Sequence, residues 1–407
     1  MSELYELPDG WEWKKLEEVF LIERGGSPRP IKDYITESED GINWIKIGDT
    51  VKGEKYITQT AQKIRPEGLK KSRLVKEGDF IMSNSMSFGR PYIVKTKGAI
   101  HDGWLLMRDK LENINKDFFY YLLSSNYMYN KFSSKASGTT VKNLNISLVK
   151  SIEVPFPILK EQKRIVSKLD TLFEKIDKAI ELHEKNIKEA DAFMGSVLNE
   201  VFEELNLEKT SLLKDVTTKI GSGSTPRGGQ KAYKEEGISL IRSMNVHDNG
   251  FREKGLAFID DLQAEKLNNV TIEKDDVLLN ITGASVARCC IVEEKYLPAR
   301  VNQHVSIIRL KDSILSIFLH YYLISPSIKA NLLFSSSGGA TREAITKSML
   351  ENFSVPIVSL KIQQKTVKYL DQVSQKIENT KAMQKEKLQN LKDLKASILD
   401  QAFKGQL

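Results

Sequence analysis

"VPFPILKEQKRIVSKLDTLFEKIDKAI", residues 154–180, returns as "VPIVSLKIQQKTVKYLDQVSQKIENTK", residues 355–381. With no gap between them, Val154/Val355, Pro155/Pro356, Leu159/Leu360, Lys160/Lys361, Gln162/Gln363, Val166/Val367, Leu169/Leu370, Asp170/Asp371, Lys175/Lys376 and Ile176/Ile377 are identical. Ser196/Ser397, Leu198/Leu399 and Phe202/Phe403 carry the register further. A repeat of this length marks two copies of one plan, and it organises everything else in the chain. Weaker echoes precede each copy: "ERGGSPR" from Glu23 and "IGSGSTPR" from Ile220, "VKEGDFIMSN" from Val75 and "IEKDDVLLNI" from Ile272, "YYLLS" from Tyr120 and "YYLIS" from Tyr321. Each copy therefore reads as a globular part followed by a helical segment: 1–155 then 156–205, and 206–356 then 357–407.

The helical segments show their period directly. Ile165, Leu169, Leu172, Ile176, Ala179, His183, Ile187, Ala190, Met194, Val197 and Val201 recur at steps of three and four, with Lys and Glu between them. Leu370, Val373, Ile377, Leu388, Leu391, Ile398 and Ala402 do the same in the second copy. A helix of roughly 40 residues is about 60 Å long, more than its own globule can cover, so its narrow apolar stripe needs a partner helix. The partner expected is the other copy, packed parallel or antiparallel; an antiparallel coiled coil would have a pseudo-two-fold axis near residues 182 and 383. The stripe breaks there, and His183 and Gln384 are expected to meet and fix the register, or else both to face solvent. The globular parts mix strand-like runs ("INWIKIG", "DFIMSN", "DDVLLNIT", "HVSIIRL") with helical ones ("DFFYYLLSSNYMYNKF", "IFLHYYLISPSIKANLLF") and lack a regular βαβ rhythm. The fold class is α+β: two pseudo-two-fold related α+β domains joined by two long helices.

At 407 residues and 40% hydrophobic content the chain has ample material for such cores. No apolar run approaches the roughly 18 to 20 residues of a membrane helix, and a start without a signal-peptide pattern reads as cytoplasmic. Cys289 and Cys290 are adjacent, which suits neither a disulfide framework nor a zinc site. A net charge of +7 permits an anionic partner without requiring one, since 61 basic residues stand against 54 acidic.

"LPDGWEWKKLEEV", residues 7–19, holds the residue types of a metal-dependent nuclease in Asp9, Glu12 and Lys14. Such a site needs its carboxylates on neighbouring strands, whereas Pro-Asp-Gly is a turn with only Gly10 and Trp11 between Asp9 and Glu12. The second copy repeats only the apolar frame, with Leu213 and Val216 answering Leu16 and Val19. No phosphate-cradling G-x-x-x-x-G-K-[ST] occurs. There is no Asn-Pro-Pro-Tyr type tetrapeptide for amino-methyl transfer, and the five histidines lack metal-ligand spacing, so no catalytic or metal-binding residues are assigned. What remains are polar loops suited to DNA: Arg and Asn can pair with base edges, Ser, Thr and Lys with phosphates. The candidates are Arg29, Lys46, Asn84, Ser85, Arg90 and Lys142 in the first copy. In the second they are Arg227, Arg242, Asn280, Thr282, Arg288, Gln303, His304 and Arg342.

The repeat, "LPDGWEWKKLEEV", the "VPFPILKEQKRIV" and "VPIVSLKIQQKTV" entries into long helices, and the "SGTT" and "GGATRE" turns together resemble the DNA specificity subunit of type I restriction-modification systems, over the whole chain. The resemblance implies two target recognition domains, each reading half of a bipartite asymmetric target in double-stranded DNA, with helices that set the spacer. It further implies a non-catalytic subunit that binds two modification (methyltransferase) subunits and, through them, two restriction subunits. S-adenosylmethionine, ATP and Mg²⁺ would then act on the partners, and this chain would need no cofactor. Contacts to partner subunits are placed at Gln162, Arg164, Gln363 and Lys365, near the exposed starts of the helices. The second helix departs from the first at Ile362 and Thr366, where the first has Glu161 and Ile165. The rival readings are a coiled-coil adaptor without DNA specificity and an enzyme that modifies or cuts DNA alone.

Overall fold

The computed structural model describes residues 5–51, 53–84, 89–135, 144–206, 209–336 and 344–407. The chain divides into two compact units, residues 1–183 with 386–407 (unit 1) and residues 184–385 (unit 2). The long helices are Leu159–Asn206 and Leu360–Phe403, and each runs through both units.

Alternation of side chains along the strands fixes the layering within each unit. In strand Trp104–Asp109, Leu105 and Met107 enter a core shared with helix Lys116–Ser124 and the long-helix residues Ile165, Leu169 and Phe403. Trp104 and Leu106 point the other way, into a second core with Ile45 and Ile100. Unit 2 repeats the arrangement: Val277 and Leu279 join Phe202, Phe318 and Leu370, while Leu278 joins Leu240 and Val301. Each unit is thus three layers deep, with helices on a central sheet and an outer sheet beneath it.

The sheets carry the same order. In unit 1 the central sheet runs Phe20–Arg24, Trp104–Asp109, Phe80–Ser83, Pro91–Val94 and Tyr56–Ile57. In unit 2 it runs Thr217–Ser222, Val305–Leu310, Val277–Asn280 and Cys289–Ile291. Both outer sheets contain a parallel pair, Gly98–Ile100 beside Ile42–Ile45 and Ala299–Val301 beside Ile238–Ile241. The chain enters each unit on a strand paired antiparallel with the one that leads into the long helix, Trp11–Lys15 with Glu153–Pro157 and Thr210–Leu212 with Ser354–Pro356. Short helices Leu16–Val19 and Leu213–Val216 follow, and Leu16, Val19, Leu213 and Val216 are buried, as the repeated apolar frame implies. The nuclease reading fails on geometry: Asp9 lies in a turn, and Glu12 pairs at 2.9 Å with Lys14 of its own strand.

Within each unit two long-helix halves lie antiparallel. In unit 1 Arg164 donates to the carbonyl of Leu407 at 2.7 Å, and Asp177 pairs with Lys395 at 2.7 Å. In unit 2 Asp191 pairs with Lys381 at 2.7 Å. His183 ends the first segment of unit 1 and Gln384 lies in unit 2, each half-buried.

The structure corrects the placing of Gln162 and Gln363 on an exposed helix start, since both are fully buried (0% exposed). Gln162 accepts from the backbone N–H of Asn115 at 2.8 Å and donates to the carbonyls of Asn113 and Pro157. Gln363 accepts from the N–H of Leu315 and donates to the carbonyls of Ser313 and Val358. A buried backbone group without a partner is costly, and one amide satisfies three of them where strand, loop and helix converge. Arg164 and Lys365, two residues further along, are exposed. A second clamp is repeated about two turns on, with Tyr121 donating to Asp170 at 2.5 Å and Tyr321 to Asp371 at 2.7 Å.

Candidate nucleic-acid interface

Three loops of unit 1 meet at the rim of its sheets: the glycine-rich turn after Arg24, the turn after Ile45, and the loop between Ile100 and Trp104. Asp102 is where the first and third join. Its carboxylate accepts from the Ser27 hydroxyl at 2.8 Å and pairs with Arg29 at 3.4 Å, while its carbonyl accepts from Arg24 Nε at 3.0 Å. Burial would raise the Asp102 carboxyl, but the Ser27 hydroxyl, a backbone N–H, His101 and Arg29 outweigh it and hold it below its usual range. Arg29 itself is 81% exposed. Lys46 stands on the neighbouring turn and donates to Gln62 at 2.8 Å. The structure therefore brings Arg29 and Lys46 together around one cavity, with His101 and Gln62. The close packing explains the glycines, because a Cβ on Gly25 would lie 2.2 Å from the carbonyl oxygen of His101.

Unit 2 uses the same loops with other groups. Thr225 donates to Gln303 at 2.5 Å, the Gln303 amide meets His304 Nε2 at 3.1 Å, and His304 Nδ1 meets Thr282 at 2.5 Å. Arg227 and Gln303 are exposed, and His304 and Thr282 are half-buried. Arg242 lies over the ring of Tyr233 at 5.2 Å and donates to the carbonyl of Gly255, which holds its guanidinium against the protein.

Three further expectations meet a different geometry. Asn280 is fully buried (0% exposed) and donates to the Ser243 carbonyl at 2.9 Å and the Ser285 hydroxyl at 3.1 Å. It ties two loops together and offers no edge to a base. Asn84, 3% exposed, donates to the Asp102 carbonyl at 3.2 Å in the same supporting way. Arg288 follows the Asn280 loop in sequence, yet its side chain lines another cavity of unit 2, with His247, Asp248 and His320. Arg90 is exposed, whereas Ser85, Lys142 and Arg342 lie outside the described residues. Sequence reasoning missed Ser27, Gln62, Asp102 and Thr225. The signal available for Thr225 was its insertion between the Ser and Pro of the repeated glycine-rich turn.

Among the described residues no group of three or more His, Cys, Asp or Glu could hold a metal ion, and no helix is long and apolar enough to cross a membrane. The family model for the type I restriction modification DNA specificity domain matches the sequence twice, at residues 8–190 and 208–390. The type I restriction enzyme EcoBI specificity subunit of Escherichia coli is 25% identical, over 99% of this chain and 88% of its own. The putative type I restriction enzyme MjaX specificity subunit of Methanocaldococcus jannaschii is 26% identical, over 96% and 93%. Among solved structures, a chain from a study of complex assembly and conformational transition of the type I R-M system shares the fold with a TM-score of 0.75 at 24% identity, over 99% of this chain and 100% of its own. The HsdS subunit from Thermoanaerobacter tengcongensis gives a TM-score of 0.55 at 24% identity, over 99% of each chain. A domain matched twice, on a frame built twice, places this chain in the type I restriction-modification DNA specificity family, as a specificity subunit whose role is DNA recognition.

Proposed function

We propose that unit 1 and unit 2 each read one half of a bipartite, asymmetric target in double-stranded DNA, and that the long helices act as a ruler for the unread base pairs between. The observation that supports this best is the contrast inside the repeat. Both units share sheet order, entry strands and buried glutamine clamps, yet they present Arg29, Lys46 and Asp102 in one and Arg227, Gln303 and His304 in the other. Arginine and amide side chains can supply base contacts, and exposed cations can supply phosphate contacts.

Chemistry in this reading belongs to partners in the cytoplasm: two modification subunits that methylate adenine with S-adenosylmethionine, and two restriction subunits that use ATP and Mg²⁺. The chain itself is non-catalytic and needs no cofactor. Arg164 and Lys365 are the partner contacts that stay exposed. Co-expression with the cognate modification subunit, followed by mapping of methylated adenines, tests the reading. A two-part motif with a fixed gap is the expected result, and methylation that does not depend on this chain overturns it.

A further inference from the structure

The rim of unit 1 encloses a cavity of about 930 Å³. Its floor is apolar, formed by Ile31, Ile35, Trp44 and Ile47, and its mouth carries Arg29, Lys32 and Lys46. Gln62 stands at the edge with its carbonyl oxygen accepting from Lys46, which leaves its amide N–H groups as donors. The His101 ring forms one wall, with its Nε2 accepting from the backbone N–H of Ile47 at 3.1 Å.

A base-pair edge inside a duplex is flat and polar, and protruding side chains read it in the groove. A concave apolar basin does not match that edge. Its volume lies within the roughly 300–1,000 Å³ of pockets that enclose a small organic ligand. The combination of apolar floor, amide edge and cationic mouth fits a ligand that is aromatic at one end and anionic at the other, which is the chemistry of a nucleotide. Two of the mouth cations, Arg29 and Lys46, are also DNA-contact candidates of this unit, so the cavity is continuous with the proposed DNA surface.

We propose that this cavity receives one nucleobase of the half-site read by unit 1, turned out of the duplex stack. The base lies on the Ile31, Ile35 and Ile47 floor, Gln62 and Lys46 donate to its hydrogen-bonding edge, and Arg29 and Lys32 hold its flanking phosphates. A protein that extrudes a base recovers the lost stacking through such apolar and polar contacts. Unit 2 is not assigned the same device, because Leu240 stands where the repeat places Trp44 and Arg242 is engaged with Tyr233 and Gly255.

The proposal rests on the DNA-reading function above, and its test separates the two. The complex of this chain with its modification subunits is bound to duplexes carrying the mapped target. 2-Aminopurine, whose emission rises when it leaves the stack, is placed in turn at each position of the unit 1 half-site and its flanks except the methylated adenine. A rise of several-fold at one position is expected. Gly48 lines the mouth, and a Cβ there meets no atom within 4 Å, so Gly48→Trp can be attached without a clash at the backbone and is chosen to fill the cavity. In a variant that melts like the wild type, the plug abolishes the rise and weakens binding of the mapped target at least tenfold, while discrimination at the other half-site stays. Gln62→Leu keeps the rise but loses about tenfold of base discrimination at that position. No rise at any position, or a rise and affinity that Gly48→Trp leaves unchanged, overturns the cavity assignment while the DNA reading stands. Loss of sequence-dependent binding by the wild-type complex would instead overturn the DNA reading itself.

Discussion

In unit 1 the loop before the last strand of the central sheet presents His101 and Asp102, with Asp102 drawing Ser27, Arg24 and Arg29 around a carboxylate. In unit 2 the same loop presents Gln303 and His304, which join Thr225 and Thr282 in a chain of neutral groups. A few residues away the units are interchangeable: Arg108 and Asp79 in one, Arg309 and Asp276 in the other, each a bonded pair linking two strand ends. Groups that hold the fold are repeated, whereas at the rim Arg29 returns as Arg227 but the place of Asp102 is taken by Gln303 and His304. The difference follows from burial. A buried polar atom must find its partner inside the protein, which restricts the side chain that can stand there, whereas an exposed one is completed by water.

The sharpest way to break this comparison is exchange. Replacing residues 1–153 by the corresponding segment of another family member should change one half of the methylated motif completely and leave the other half untouched. A change in both halves would show that the units do not read independently. Inserting one or two turns into both long helices should lengthen only the unread spacer, checked by the same mapping.

The shared frame can be broken selectively. Asp276 is 2% exposed and accepts twice from Arg309, whose guanidinium is 21% exposed and also pairs with Glu273, so Asp276→Ala removes two charge-assisted hydrogen bonds and should cost about 1.5–3 kcal/mol in denaturant unfolding. Asp79→Ala should cost less, because Arg108 is 37% exposed and can turn to water. Gln162→Leu and Gln363→Leu each strand three backbone groups. Each should cost about 1–3 kcal/mol, with equal losses expected from the two units.

Smaller effects separate the ligand-facing groups. Asp102→Asn removes the charge that neutralises Arg29, and should strengthen binding to random DNA and steepen its salt dependence by about one phosphate contact. Gln303→Asn in unit 2, which alters no charge, should leave that slope unchanged. The gentlest test is pH. Burial holds both His101 in unit 1 and His320 in unit 2 below the ordinary imidazole value. The unfolded chain then takes up these protons more readily than the folded one. The stability present above about pH 6.5 should therefore fall as the pH drops, seen as a lower melting temperature at pH 5.5 than at pH 7.5.

The long helices, the α+β units and the apolar frame of Leu16, Val19, Leu213 and Val216 were all legible in the amino-acid sequence, whereas periodicity left the direction of helix pairing open. Periodicity and internal repetition are properties of residue order, and burial of an apolar stripe leaves few alternatives. The polar residues were not legible in the same way. Gln162 and Gln363 stand out as identical in both copies, but order alone does not say whether an amide bonds to a partner protein or to its own backbone. Their full burial decided that, and the same holds for Asn280. Asp102 and Gln62 gained their place in the site only when turns distant in sequence met at one rim, because a polar side chain takes its role from what surrounds it.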